Sequence, residues 1–218
     1  FQIDRNSLQI LPFGVPDVIK YDDYSVSDKG VIELLYVGRL EKRKGADVIL
    51  EVIPKILVAN NFVRFTCIGD NTIPSEDGRT YQDKFMDEFG GCEWIDRVRF
   101  LGHVDEYELE AAYANCDIFV APSRYESFGL IYLEAMRFGK PCIGTVAGGI
   151  PEVIADQETG LLALPGDAAS LYDVIDQLIK DDELRKRMGE AGRRRYSDKF
   201  TTEKFSSNIE ELLRKWVI

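Results

Sequence analysis

The stretch PSRYESFGLIYLEAMRFGKPCI, residues 122–143, runs from a turn-like segment through a helix into a strand, and the rest of the chain is organised around it. Glu126 stands in the turn-like part, and Phe128-Gly129 then opens a nearly all-apolar run over 130–138. Leu130, Ile131, Leu133, Ala135, Met136 and Phe138 cover too much of a helix circumference to form one stripe, so this helix is expected to be largely buried. It carries one carboxylate, Glu134. A buried ionised carboxylate is costly unless a charged or hydrogen-bonding group meets it. Two partners are open at this point: Arg137, three residues on, or the hydroxyls of a ligand.

Outward from this stretch, short apolar or β-branched runs alternate with longer helical patterns. Strands are expected at 32–37, 63–68, 98–101, 118–121, 141–144 and 161–164. They read as continuous apolar segments, the pattern of strands covered on both faces. Helices are expected near 46–60, 80–90, 105–115, 129–138, 150–156, 168–180, 182–196 and 201–216. The repeated strand–helix order implies an α/β fold: a Rossmann-like, doubly wound, mostly parallel sheet of about six strands with right-handed crossovers. Residues 1–30 fit this rhythm less well; LPFGVP (11–16) is turn-rich and 21–30 is polar and acidic.

In such sheets ligands bind outside the carboxyl ends of the strands, so the residues after each strand carry the functional reading. The first strand leads into GRLEKRKG (38–45), where Gly38 is followed by Arg39, Lys42, Arg43 and Lys44 against a single acid, Glu41. Four cations just before a helix start suggest an anion site, to which the helix amino terminus adds free amides and a favourable dipole; the plain alternative is a solvated basic loop. Neither a G-x-G-x-x-G nor a Walker A element is present. The third strand runs into Gly102-His103-Val104. His103 is either a general base or, as a lone loop histidine, a structural residue; the latter is favoured because catalysis needs a positioned partner. The fourth strand leads to Ser123 and Glu126, the fifth to Gly148-Gly149-Ile150-Pro151-Glu152. The two glycines permit close backbone approach to a ligand, and also serve as plain turn residues. Cations, bare amides and carboxylates at neighbouring strand ends suit a phosphate-bearing, hydroxyl-rich ligand such as a nucleotide sugar.

Composition narrows the classes. The 218 residues suffice for one sizeable domain. A formal net charge of -11 argues against nucleic acid as a partner, because phosphate backbones need a basic face. No apolar run approaches membrane-spanning length. Cys67, Cys92, Cys116 and Cys142 show no C-x-x-C spacing and are expected as free thiols of a reducing compartment. The cytoplasm is the expected location, with the cytoplasmic face of a membrane as the alternative for a longer protein. The chain begins on Phe1 and reads as a piece of such a protein.

GRLEKRKG, FLGHV (100–104), APSRYESFGLIYLEAMRFGKPCI (121–143), GGIPEVI (148–154) and ETGLLALPGD (158–167) occur in an order that carries a family resemblance. From about residue 33 to about residue 200 the chain resembles the carboxyl-terminal, donor-binding domain of family 4 retaining glycosyltransferases, enzymes of GT-B architecture with two Rossmann-like domains facing a cleft. The E-x7-E element of Glu126 and Glu134, combined with the R-x4-K of Arg39 and Lys44, is its most specific part. The resemblance implies that Arg39 and Lys44 hold the donor diphosphate and stabilise the leaving group, as electrostatic catalysts. It implies that Glu126 contacts the transferred sugar and that Glu134 accepts hydrogen bonds from the ribose. Backbone amides at Phe128, Gly129 and Leu130, beside Ser127, would meet phosphates or sugar. Gly102, His103 and Val104, with Ser123 and Arg124, would border the base, and Gly38, Gly148, Gly149 and Glu152 would lie near the donor. A UDP-hexose is the favoured donor on family frequency, and a glycan, lipid or small molecule the acceptor.

No cofactor is expected. No two aspartates stand two positions apart, so the D-x-D metal element of other glycosyltransferases is missing and Arg39 and Lys44 are expected to do a metal's charge-neutralising work. By the same resemblance, residues 1–30 form a junction from an absent amino-terminal domain, 31–200 the nucleotide-sugar domain, and 201–218 a helix reaching back. Rival readings are a glycoside hydrolase, a nucleotide-sugar epimerase of the same fold, and a non-catalytic sugar-nucleotide-binding domain. A hydrolase pair stands roughly 5 to 9.5 Å apart, whereas eight residues of one helix span about 12 Å; a loop at Glu126 could alter that separation.

Overall fold

Six short apolar runs lie side by side and all point the same way. They are β1 (Ile32–Val37), β2 (Val63–Ile68), β3 (Val98–Gly102), β4 (Ile118–Val120), β5 (Cys142–Thr145) and β6 (Gly160–Ala163), in the order β3-β2-β1-β4-β5-β6 with every pairing parallel. The structure, a computed structural model, describes residues 10–17 and 30–216. The acidic stretch read at 21–30 lies, except for Gly30, outside the described residues, as does most of the expected junction.

Side chains alternate between two buried faces, as a strand's two-residue period requires. On one face Leu34, Tyr36, Phe65, Val120 and Ile143 pack beneath α1 (Ala46–Ala59) and α6 (Ala168–Lys180). On the other, Leu35, Phe119 and Cys142 pack beneath α3 (Glu106–Asn115), α4 (Leu130–Arg137) and the carboxyl end of α7 (Asp182–Lys199). Continuous apolar strands are the consequence of this double cover. The helices α2 (Tyr81–Phe89), α5 (Ile150–Val153) and α8 (Thr202–Trp216) complete the set among the described residues. Their starts follow side-chain chemistry: Asp105 and Glu108 form a capping box on α3, and Asp167 and Asp181 cap α6 and α7.

The strand–helix alternation and the sheet class match the sequence reading, with local differences. The helix expected over 150–156 ends at Val153, and that expected over 182–196 continues to Lys199. The 129–138 helix is less buried than its composition suggested: Leu130 is 44% exposed at its amino end, and Glu134 is half-buried. Val15 forms a bridge with Thr201, and its carbonyl accepts from the Tyr196 hydroxyl (2.8 Å), fastening the LPFGVP segment to the end of α7.

Candidate functional site

Because the sheet is wholly parallel, all six strands deliver their carboxyl ends to one rim. Gly38 donates its amide to Ile68 O (2.9 Å) and Gly69 donates to Gly102 O (2.8 Å), so the loops after β1, β2 and β3 are joined through backbone atoms. His103 is exposed there, and Val104 is half-buried against the second core face. The Asp70 carboxyl is held below its usual range by the Thr72 hydroxyl and amide, with His103 and Arg39 adding to the effect. The structure gives His103 no partner arranged for proton transfer among the described residues.

The centre of the rim is where β1 meets β4. A 3-10 turn at Lys42–Lys44 follows β1 and is closed by Gly45, whose left-handed φ of 76° lets the chain press against the carbonyl of Pro122 in the loop after β4. Arg124 N donates to Arg43 O (2.8 Å), sealing the two loops together. Lys44 Nζ pairs there with Glu126 Oε1, both side chains being largely buried at 17% and 11% exposure. The same carboxylate oxygen accepts from the Ser123 hydroxyl (3.0 Å), and Thr145 of β5 donates to the Ser123 carbonyl (2.6 Å). Arg39, half-exposed, donates to Glu41 (2.9 Å), and Arg43 donates to the same oxygen (2.9 Å). The basic loop is thus neither a plain solvated run nor an unpartnered one: one cation points inward and two share the loop's single acid.

The glycine pair after β5 has a role that the sequence left open. Gly149 donates its amide to Glu126 O (2.8 Å), and a Cβ on Gly148, at φ 58°, would stand 2.1 Å from that oxygen. The close approach is to the Glu126 loop itself, and it fixes where that carboxylate stands. Beyond Glu126, Ser127 is exposed, and Phe128 packs edge-on against Phe13 (5.7 Å) and Phe200 (6.0 Å). Gly129 then starts α4, whose first amides lie beyond reach of any intrahelical acceptor. Glu152 is exposed in α5, its carbonyl accepting from Arg195 (2.7 Å).

One of the two partners left open for Glu134 is corrected. Arg137 does not pair with Glu134; its guanidinium donates to Glu110 of α3 (2.9 Å) and to Pro16 O (3.2 Å). Glu134 instead accepts from the buried Tyr113 hydroxyl (2.8 Å), one turn into α4 from Leu130. Arg124 is engaged as well: it makes two bonds to Asp47 (2.6 and 2.8 Å) and one to Lys42 O (2.8 Å). Sequence reasoning named Glu41 only as the basic loop's single acid and missed Asp47, Tyr113 and Thr145, which sit in helices or a strand with nothing in their spacing to mark them. Only the charge of Glu41 and Asp47 beside a basic loop was a usable signal.

A parallel sheet in this strand order, with a cation-bearing turn and a carboxylate loop meeting at the seam of β1 and β4, defines a Rossmann-like domain. Residues 19–195 match the family described as Glycosyl transferases group 1, and the chain belongs to that family. It is 33% identical over 171 residues to a glycogen synthase of Mycobacterium tuberculosis, covering 78% of this chain and 39% of that protein. It is 36% identical over 157 residues to a D-inositol 3-phosphate glycosyltransferase of Corynebacterium efficiens, covering 71% and 36%. Among solved structures, the C-terminal domain of a glycosyl transferase group 1 family protein (LpcC) from Francisella tularensis superposes with a TM-score of 0.72 at 28% identity, over 83% of this chain and 91% of that one. Anabaena HepE in complex with UDP and glucose does so at 0.71 and 25% identity, over 85% and 48%. The chain spans less than two fifths of the length of these curated relatives.

Proposed function

We propose that this chain is the donor-binding part of a metal-independent retaining glycosyltransferase that moves a hexose from UDP-hexose to a glycan, lipid or small-molecule acceptor. The observation that carries the reading is the inward Lys44–Glu126 pair at the β1–β4 seam, buttressed by Ser123 and Gly149. Lys44 and the half-exposed Arg39 supply positive charge where a diphosphate would lie, and the amino end of α4 supplies amides of matching polarity. When the anomeric carbon–oxygen bond breaks, its electron pair leaves on the diphosphate, and preset cations stabilise that charge without reorganising. The acceptor hydroxyl forms the new bond to the same carbon, on the face the diphosphate leaves, and its proton passes to the departing phosphate oxygen. Glu126 stands beside Lys44 to face the sugar. Glu134, oriented by Tyr113, has oxygen lone pairs left to receive ribose hydroxyls.

UDP is favoured because a structural neighbour at 25% identity is described with UDP and glucose bound. Residues 31–200 form the donor domain in this reading, residues 1–30 the junction, and the helix after 200 returns toward an amino-terminal domain that holds the acceptor. The isolated chain would then bind donor and transfer little sugar. Calorimetric titration of UDP, GDP and ADP into the chain, with and without chelator, tests the reading. Saturable binding of UDP that is insensitive to chelator and weakened by both Lys44→Ala and Glu134→Ala is the expected result. No binding, or binding indifferent to both substitutions, would overturn it.

A further inference from the structure

The turn that carries Arg39 and Lys44 rests on one buried side chain that belongs to the strand below it. Tyr36 is 1% exposed within the sheet core, and its hydroxyl rises under the turn to donate to Arg39 O at 2.9 Å, with Lys44 O at 3.4 Å as a second, longer acceptor. These two carbonyls bracket the turn. Arg39 O also receives the amide of Glu41 (2.9 Å), and Lys44 N donates to Glu41 O (3.0 Å), so the hydroxyl joins both ends of one small hydrogen-bonded unit. Above it there is no slack: a Cβ on Gly38 would stand 3.3 Å from the same hydroxyl oxygen.

We infer that Tyr36 is a positioning residue for the anion site, its hydroxyl pinning the 39–44 turn so that Arg39 and Lys44 stand ready before the ligand arrives. This rests on the donor-binding reading of that turn. A buried phenol needs a partner for its hydroxyl, and here the partners are the carbonyls of the two cation-bearing residues. Burial in the core also raises the Tyr36 pKa well above its ordinary value, so the group remains a donor at neutral and alkaline pH. Preset charges need no rearrangement on binding, and that pre-organisation appears as affinity.

The test is Tyr36→Phe, which keeps the ring in the core and removes only the oxygen. Two measurements are made on native and variant chains: amide hydrogen exchange, and calorimetric titration with UDP. Exchange in 39–46 is expected to quicken about fivefold, the factor carried by one neutral hydrogen bond, with β2 and α6 unchanged and the UDP dissociation constant raised by about the same factor. Unchanged exchange and unchanged affinity would overturn the assignment. So would exchange quickened uniformly through the domain, which would make the hydroxyl a contributor to global stability only. Should exchange quicken in 39–46 alone while the native chain fails to bind UDP, the pinning stands and the donor-binding reading falls.

Discussion

Replacing Gly148 with alanine tests whether the rim is built as described, because one methyl group acts on three features at once. At φ 58° an L-residue bears roughly 1–2 kcal/mol of local strain. The new Cβ would begin 2.1 Å from Glu126 O and must retreat by about 1 Å to reach even a tight contact. That retreat lengthens the Gly149 N–Glu126 O bond, now 2.8 Å, whose loss costs about 1 kcal/mol. The expected destabilisation is therefore about 2–3 kcal/mol. Urea denaturation with unchanged slope would report it as a shift in midpoint. Gly91→Ala is the control, since its Cβ would meet nothing within 4 Å, and it should lie within about 0.5 kcal/mol of the parent. If Gly148→Ala costs no more than Gly91→Ala, the β5 loop does not brace the Glu126 loop.

Glu110→Ala should cost about 3 kcal/mol or more in the same assay, because it strands the Arg137 guanidinium, whose side chain is 10% exposed; a loss below about 1 kcal/mol would count against the pair. Arg124→Ala and Asp47→Ala should be non-additive, with a coupling of about 1 kcal/mol for a bidentate pair exposed by about 30% on each side; strict additivity would show that the contact contributes nothing. At about pH 8, a thiol reagent should modify Cys92 in the folded chain and spare Cys67, Cys116 and Cys142, which are buried; rapid labelling of all four would refute that burial. Burial pushes the Cys67 and Cys116 thiols and the Tyr196 phenol up to about 12. The folded chain then keeps protons that the unfolded chain releases from about pH 9 upward, so stability should fall between about pH 9 and 12. A denaturation midpoint constant to pH 11 would contradict this.

The sheet was legible because the central strands are apolar on both faces and each crossover helix has its own period. Residues such as Leu34 and Leu35, adjacent and both buried, carry the signal of a doubly covered strand. The basic turn was legible from charge: Arg39 to Lys44 stand out in an acidic chain. What stayed hidden were partnerships across the fold. Arg137 looks as suitable a neighbour for Glu134 by helical spacing as any, yet Glu110 on α3 meets it first and Tyr113 meets Glu134. Helical spacing describes a single element, whereas these contacts depend on how α3 lies across α4. Gly148-Gly149 posed the same problem, since a close approach can be read from sequence but not what is approached.

The seam between β1 and β4 also bears on how the chain reaches its fold. β1 gains β2 after a single helical crossover, but its other neighbour is far along the chain: Glu33 and Asp117, hydrogen-bonded across the seam at 2.8 Å, are 84 residues apart. Closing so large a loop is entropically slow relative to local pairing. The Lys44–Glu126 contact spans 82 residues and forms only when that seam closes. A nascent chain emerging from the ribosome can assemble the β1–β2–β3 half first, with its basic turn in place and its acidic counterpart still unmade. A fluorescent pair placed near residues 44 and 126 would thus time the long-range step of folding, the moment at which the two halves of the sheet become one.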